Sequence, residues 1–253
     1  MLEIKSLSAS YPGKPVLQNI HATIPEGKIT AILGPNGCGK STLLKTLCGI
    51  LPAQSGQVLL HGEDLLALTP KMRAKKLSYL AQSRQIPDIT VEKLVLHGRF
   101  PYLGYPRRYG KADYTCADAA MDAMGITELN DTLLQNLSGG QRQKAYLAMA
   151  LAQDTPVILL DEPTTYLDIA HQLQLLQQAR DLSRQGKTVV MVIHDLPHAF
   201  SWADKILLME AGNLVSQGTP EEIFTSGMAN RVFRVALRRT QTENGWRYYC
   251  EEK

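Results

Sequence analysis

Residues 28–50, KITAILGPNGCGKSTLLKTLCGI, pass from an apolar run through a glycine-rich loop into a helical pattern. KITAIL predicts a buried strand, and STLLKTLCGI predicts a helix with a glycine near its end. Between them, Gly34-Pro35-Asn36-Gly37-Cys38-Gly39-Lys40-Ser41 matches G-x-x-x-x-G-K-[ST]. Glycines at this spacing let a backbone wrap closely and turn several N–H groups onto phosphate oxygens. The helix that follows adds the positive end of its dipole. Lys40 is suited to bridge the β- and γ-phosphates, the Ser41 hydroxyl to bind Mg²⁺, and Thr42 completes the candidate set.

A magnesium site of this kind needs a carboxylate, and VILLDEP supplies one. Four apolar residues predict a central strand with Asp161 at its C-terminal end, the edge where open parallel sheets bind ligands. Asp161 is expected to hold Mg²⁺ through water. Glu162, one residue on, is expected to polarise the water that attacks the γ-phosphate. The loop and the acidic pair together indicate a nucleotide hydrolase using ATP and Mg²⁺.

Working outward, LEIKSLSASY and PVLQNIHATI alternate polar and apolar residues as half-buried strands do, and the second ends at the turn Pro25-Glu26-Gly27. GQVLLHGEDL predicts a second hairpin and LSYLAQ another strand. Residues 83–154 are mostly helical in pattern, with one helix stopping at Gly125. PVILLDEP and KTVVMVIHD, separated by the helix IAHQLQLLQQARDLSRQG, predict a parallel crossover. Thr219, Pro220 and Glu222 form a helix start with a capping box. VALRRTQTENGWRYYC predicts a hairpin turning at Asn244-Gly245.

The 253 residues are 44% hydrophobic and 20% charged, enough to bury a sizeable core. A net charge of +3 gives no field that demands nucleic acid. Cys38, Cys48, Cys116 and Cys250 form no CxxC pair and read as free thiols in a reducing compartment. Lys40 and the helix start beside Cys38 predict a lowered thiol pKa and fast alkylation. No run approaches the ~18 apolar residues of a membrane span, and the opening residues carry no secretory pattern. The expected location is the cytoplasmic face of a membrane, reached through a partner.

Leu137-Ser138-Gly139-Gly140-Gln141, ahead of a helix and about one helix before the acidic strand, resembles the signature of ATP-binding cassette (ABC) ATPases. The resemblance spans nearly the whole chain, with its motifs in family order. It implies an α/β fold: a P-loop NTPase (RecA-like) core, an N-terminal antiparallel β subdomain and an inserted α-helical signature subdomain. Residues 1–253 would then be one ABC ATPase domain. The nucleotide-binding core and β subdomain take 1–82 and 155–225, the helical subdomain 83–154, and a C-terminal hairpin extension 226–253. By the same resemblance Tyr11 stacks on adenine, and Gln82 senses magnesium and contacts the membrane partner. Asp168 crosses between subunits, and His194 contacts the γ-phosphate. Ser138, Gly139, Gly140 and Gln141 independently present a second helix N-terminus, a second anion site. A head-to-tail homodimer can aim both helix starts at one γ-phosphate, with ATP as the glue.

TVEKLVLHGRFPYLG, and more softly PTTYLDIAHQ, look like the ATPase subunits of importers for iron–siderophore complexes, haem and cobalamin. Integral-membrane permease subunits and, indirectly, a substrate-binding protein are the partners this implies. The run Arg99, Tyr102, Tyr105, Arg107, Arg108, Tyr109 and Lys111 is read as a docking surface beside the permease, in preference to a nucleic-acid site. The alternative function is a soluble ABC ATPase of an assembly system such as iron–sulfur cluster biogenesis.

Overall fold

Strands β1 (Leu2–Tyr11) and β2 (Lys14–Ile24) bury alternate residues and pair antiparallel, Leu2 opposite Ile24 and Tyr11 opposite Lys14. In the computed structural model, which describes residues 1–82, 86–165, 167–243 and 245–252, they belong to a four-stranded antiparallel sheet. β4 (Ser55–Leu60) and the short β5 (Glu63–Asp64) complete it in the order β2-β1-β4-β5. This is the expected β subdomain.

The second sheet is built from strands buried on both faces, which is why their sequences read as continuous apolar runs. β3 (Ile29–Leu33), β6 (Leu77–Leu80), β7 (Val157–Asp161), β8 (Thr188–Val192), β9 (Lys205–Glu210) and β10 (Asn213–Gly218) lie in the order β10-β9-β3-β8-β7-β6. All pairings are parallel except that of β10 with β9. β3 is followed by α1 (Lys40–Leu47), so the phosphate-loop candidates sit at the carboxyl edge of a central strand. β7 and β8 are joined by α6 (Ile169–Arg184), the parallel crossover the sequence predicts.

The two faces of this sheet feed two cores. Ile158, Leu160, Val189 and Met191 pack with α3 (Val91–His97), α4 (Lys111–Ala123), α5 (Gly139–Ala152) and α6. Val157, Leu159, Val190 and Val192 pack with α1 and the antiparallel sheet. The short α2 (Pro70–Arg73) precedes β6. Past β8 the chain forms α7 (Leu196–Trp202), α8 (Pro220–Thr225), with the expected capping box at Thr219 and Glu222, and α9 (Met228–Phe233).

The C-terminal hairpin pairs β11 (Ala236–Thr242) with β12 (Gly245–Glu251); Asn244 of the predicted turn lies outside the described residues. The hairpin folds back on the core. The Tyr248 ring packs against Phe200 and Phe224 at centroid distances of 5.2 and 5.6 Å. Arg239 lies over the rings of Phe224 and Trp246 and pairs with Glu221.

Candidate functional site

The loop between β3 and α1 is wedged so tightly that its first residue has room for no side chain. A Cβ on Gly34 would fall 2.4 Å from the Met209 carbonyl oxygen of β9 and 2.6 Å from Cys38 Sγ. The turn between β9 and β10 braces the loop from the same side. The Gly212 N–H donates to the Cys38 carbonyl at 3.0 Å, and the Gly212 carbonyl accepts from the Gln18 N–H at 3.0 Å. Lys40 is buried, and its Nζ donates to the carbonyls of Gly34 at 2.8 Å and Pro35 at 3.0 Å. The ammonium is thereby held over the mouth of its own loop. Asn36, Gly37, Gly39, Lys40, Ser41, Thr42 and Glu162 line one open cleft with Val16 of β2. Tyr11 stands half-exposed at the end of the same β1–β2 hairpin.

Asp161 closes the far side. It is 2% exposed, and both carboxylate oxygens are engaged: Oδ1 accepts from Ser41 Oγ at 2.9 Å, and Oδ2 from the Tyr79 hydroxyl at 3.0 Å. Burial holds the Asp161 carboxyl above the usual carboxylate range, against the opposing pull of those two hydrogen bonds. Burial likewise raises the Tyr79 hydroxyl, which keeps it a donor. A hydroxyl and a carboxylate this close form an all-oxygen donor pair, the chemistry of a hard cation such as Mg²⁺ that takes few protein ligands.

Glu162 is where three predicted residues meet. It adopts φ 51°, a left-handed conformation in which a non-glycine residue is strained and which concentrates at functional sites. Its Oε2 accepts from Gln82 Nε2 and from Thr165 Oγ1 at 3.3 Å, and Oε1 pairs with His194 Nε2. Gln82, Glu162 and His194, separated by up to 112 positions in sequence (194 − 82), therefore share one carboxylate.

The signature residues stand elsewhere on the surface. Ser138 caps α5, its Oγ accepting from the Gln141 N–H at 3.2 Å while Gln141 Oε1 accepts from the Ser138 N–H at 3.0 Å. Gly139 and Gly140 form the first turn. Asp168 caps α6, accepting from the backbone N–H of His171 at 2.9 Å. Hydrogen bonds from that N–H and from the His171 ring hold the Asp168 carboxyl below its ordinary range. Tyr166 of the same loop lies outside the described residues.

Two expectations need correction. Cys38 is not an activated thiol: the loop turns it inward to 4% exposure, and burial raises its pKa against the weaker pull of Lys40. The basic-aromatic run is not one continuous outward surface. Arg99 is buried, bonded to Asp113 at 3.2 Å and to the Ala152 carbonyl at 2.9 Å, with its guanidinium 4.0 Å from the Tyr102 ring centroid. Arg107 covers Phe100, whereas Tyr105 is fully exposed. Sequence reasoning passes over Tyr79 and Thr165 and reads His171 as structural. Tyr79 meets Asp161 of the neighbouring strand, and only the Tyr79–Gln82 spacing could have pointed to it; Thr165 and His171 bond residues three positions before them, Glu162 and Asp168.

A phosphate cradle, a buried oxygen pair, an engaged glutamate and a second capped helix start define a phosphate-loop ATPase. The ABC transporter family profile matches residues 17–165. The ferric enterobactin transport ATP-binding protein FepC of Escherichia coli (strain K12) is 44% identical over 231 residues, 90% of this chain and 85% of that protein. The iron(3+)-hydroxamate import ATP-binding protein FhuC of Bacillus subtilis (strain 168) is 40% identical over 236 residues, covering 92% and 88%. A solved ABC transporter of metal-chelate type, in an inward-facing conformation, superposes with a TM-score of 0.85 at 30% identity, covering 99% of this chain and 96% of that one. The chain belongs to the ABC transporter family; it binds and hydrolyses ATP as a transporter subunit. No helix among the described residues is long and apolar enough to cross a membrane.

Proposed function

We propose that this chain is the motor of an importer for iron chelates, and that it turns over ATP as a head-to-tail homodimer. One observation carries the dimer reading. The phosphate cleft is walled by Val16, the loop and Glu162, and the Ser138–Gln141 helix start is not among its walls in the described residues. A second copy, inverted, brings that helix start to the γ-phosphate. Bound Mg²⁺·ATP supplies the γ-phosphoryl group and a cation that neutralises its charge. The Ser41–Asp161 pair holds the cation, with Gln82 reporting on it. Tyr11 takes the adenine face, and Asp168 reaches across the pair.

Glu162 is the general base, and His194 moves from its carboxylate to the γ-phosphate. Residues 1–82 and 155–225 form the core and 83–154 the helical part that meets the permease, while 226–253 pack as an extension. The names of FepC and FhuC support import of ferric siderophores over the iron–sulfur assembly alternative. A substrate-binding protein completes the system.

The test is Glu162→Gln. ATP binding should persist, turnover should fall by roughly 10²–10⁴-fold, and Mg²⁺·ATP should trap a dimer. Near-normal turnover removes Glu162 from the base role. Gentle solubilisation of native membranes should recover the tagged chain with a polytopic permease; soluble partners alone would refute the importer reading.

A further inference from the structure

The head-to-tail reading sends two surface features of each copy to its partner's nucleotide: the signature turn and the loop ending at Asp168. In this chain one side chain touches both. His171, the third residue of α6, places ring Nδ1 2.8 Å from Asp168 Oδ1. The far edge of the ring lies on the signature turn: a Cβ on Gly140 would meet His171 Cδ2 at 2.8 Å and Nε2 at 2.9 Å. A second tie runs alongside, from Gln143 Nε2 of α5 to the Pro163 carbonyl at 2.9 Å.

We infer that His171 is a positioning residue that locks Asp168 to the signature turn, so that both parts presented to the partner copy move as one body. The inference rests on the head-to-tail reading. An Asp168 held only by its helix cap could swing with its loop, and a signature turn held only by Ser138 and Gln141 could rock with α5. Misplacement of a reacting group by about 1 Å costs on the order of 10²-fold in rate, so a rigid link between the two features bears on turnover. The same contact explains Gly140 locally. Any side chain there would strike the imidazole, so the ring in this position requires glycine at 140.

The experiment uses the full chain with and without its permease. His171→Ala should lower kcat by about tenfold while KM for ATP stays within about twofold, because the phosphate cradle of the same copy is untouched. In the Glu162→Gln background, where Mg²⁺·ATP should hold dimers, adding His171→Ala should weaken dimerisation by about tenfold in sedimentation velocity. Gly140→Ala should cost a smaller factor when combined with His171→Ala than alone, since the clash is gone. His171→Gln, which keeps a donor for Asp168, should recover part of kcat and serves in place of alanine if that variant fails to fold.

Equal cost of Gly140→Ala in both backgrounds, or dimerisation of the double variant as tight as that of Glu162→Gln, overturns the lock while leaving the dimer standing. A Glu162→Gln chain that stays monomeric with Mg²⁺·ATP removes the head-to-tail reading, and this inference with it.

Discussion

Asp161 answers to two opposing demands. The proposed cation-holding role needs its carboxylate ionised beside Ser41, and folding has placed it where charge is unfavourable, with the carboxyl raised chiefly by burial. A raised folded pKa means that the folded chain holds this proton more tightly than the unfolded chain. The group's stabilisation is therefore full below the ordinary carboxylate pKa and is lost as pH rises through the higher folded value. At neutral pH the ionised form is a net burden. Without nucleotide or Mg²⁺, Asp161→Asn should raise the thermal midpoint at pH 7, with the advantage shrinking as pH falls through the wild-type folded value, and ATPase activity should vanish. Melts across a pH series check this; a destabilised variant, or one whose advantage grows towards acid, contradicts it. The partner hydroxyl gives a second test. Tyr79→Phe leaves a buried carboxylate oxygen unpaired and should destabilise by about 1–3 kcal/mol in denaturant unfolding. Cys38 teaches the reverse lesson about local inference. Its sequence neighbours suggest a reactive thiol, but its inward rotamer decides, so maleimide should modify the exposed Cys250 well before Cys38, as peptide mass spectrometry would record.

At the scale of elements, the helix that carries Lys40 and Ser41 is fixed at both ends. Its start is wedged between β9 and the β9–β10 turn; its end is closed by Arg73, a buried guanidinium with no carboxylate among its recorded hydrogen-bond partners in the described residues. Nε donates to the Leu65 carbonyl at 2.8 Å, Nη1 to Cys48 at 3.1 Å and Nη2 to Leu68 at 2.7 Å. Gly49 makes room for it, since a Cβ there would sit 1.2 Å from Nη1. Arg73→Ala strands three carbonyls at once and should lower stability by about 3 kcal/mol, read by denaturant unfolding. A loss under 1 kcal/mol would mean that water replaces the guanidinium freely. None of this was legible in PKMR. Periodicity does mark β3, α1, β7, α6 and β8, because a strand buried on two faces and a helix buried on one leave repeating patterns. Arg73, Tyr79 and His171 leave none: the first two act through polar contacts to other elements and His171 through its approach to Gly140 of another helix, and such contacts write no period into the chain. The phosphate loop was legible because cradling phosphate demands glycine, lysine and hydroxyl at set spacing, and the signature because Leu137-Ser138-Gly139-Gly140-Gln141 resembles that of ABC ATPases.

In the proposed head-to-tail pair the whole molecule has two half-sites that face different partners. On the proposed reading the phosphate loop, Asp161 and Glu162 serve the nucleotide bound by the same chain, and Ser138, Gly140 and Asp168 the one bound by its neighbour. A head-to-tail pair has two-fold symmetry, so each defect falls in a calculable place. Lys40→Ala destroys the loop half of a site, and Ser138→Arg destroys the signature half with a bulky cation at the cap. Each variant alone should be inactive, because both sites of its homodimer carry the defect. Mixed in equal amounts, half of the dimers join one of each. In those, one site collects both lesions and the other collects none. Activity should therefore return to about a quarter of wild type if assembly is random. A chain that hydrolysed ATP within one copy would give no rescue on mixing, whatever the proportions. Steady-state turnover of the mixture over a range of total concentration separates the two cases. Rescue that rises with concentration and saturates would identify the paired chain as the catalytic unit, with the helix start at Ser138 working on its neighbour's ATP.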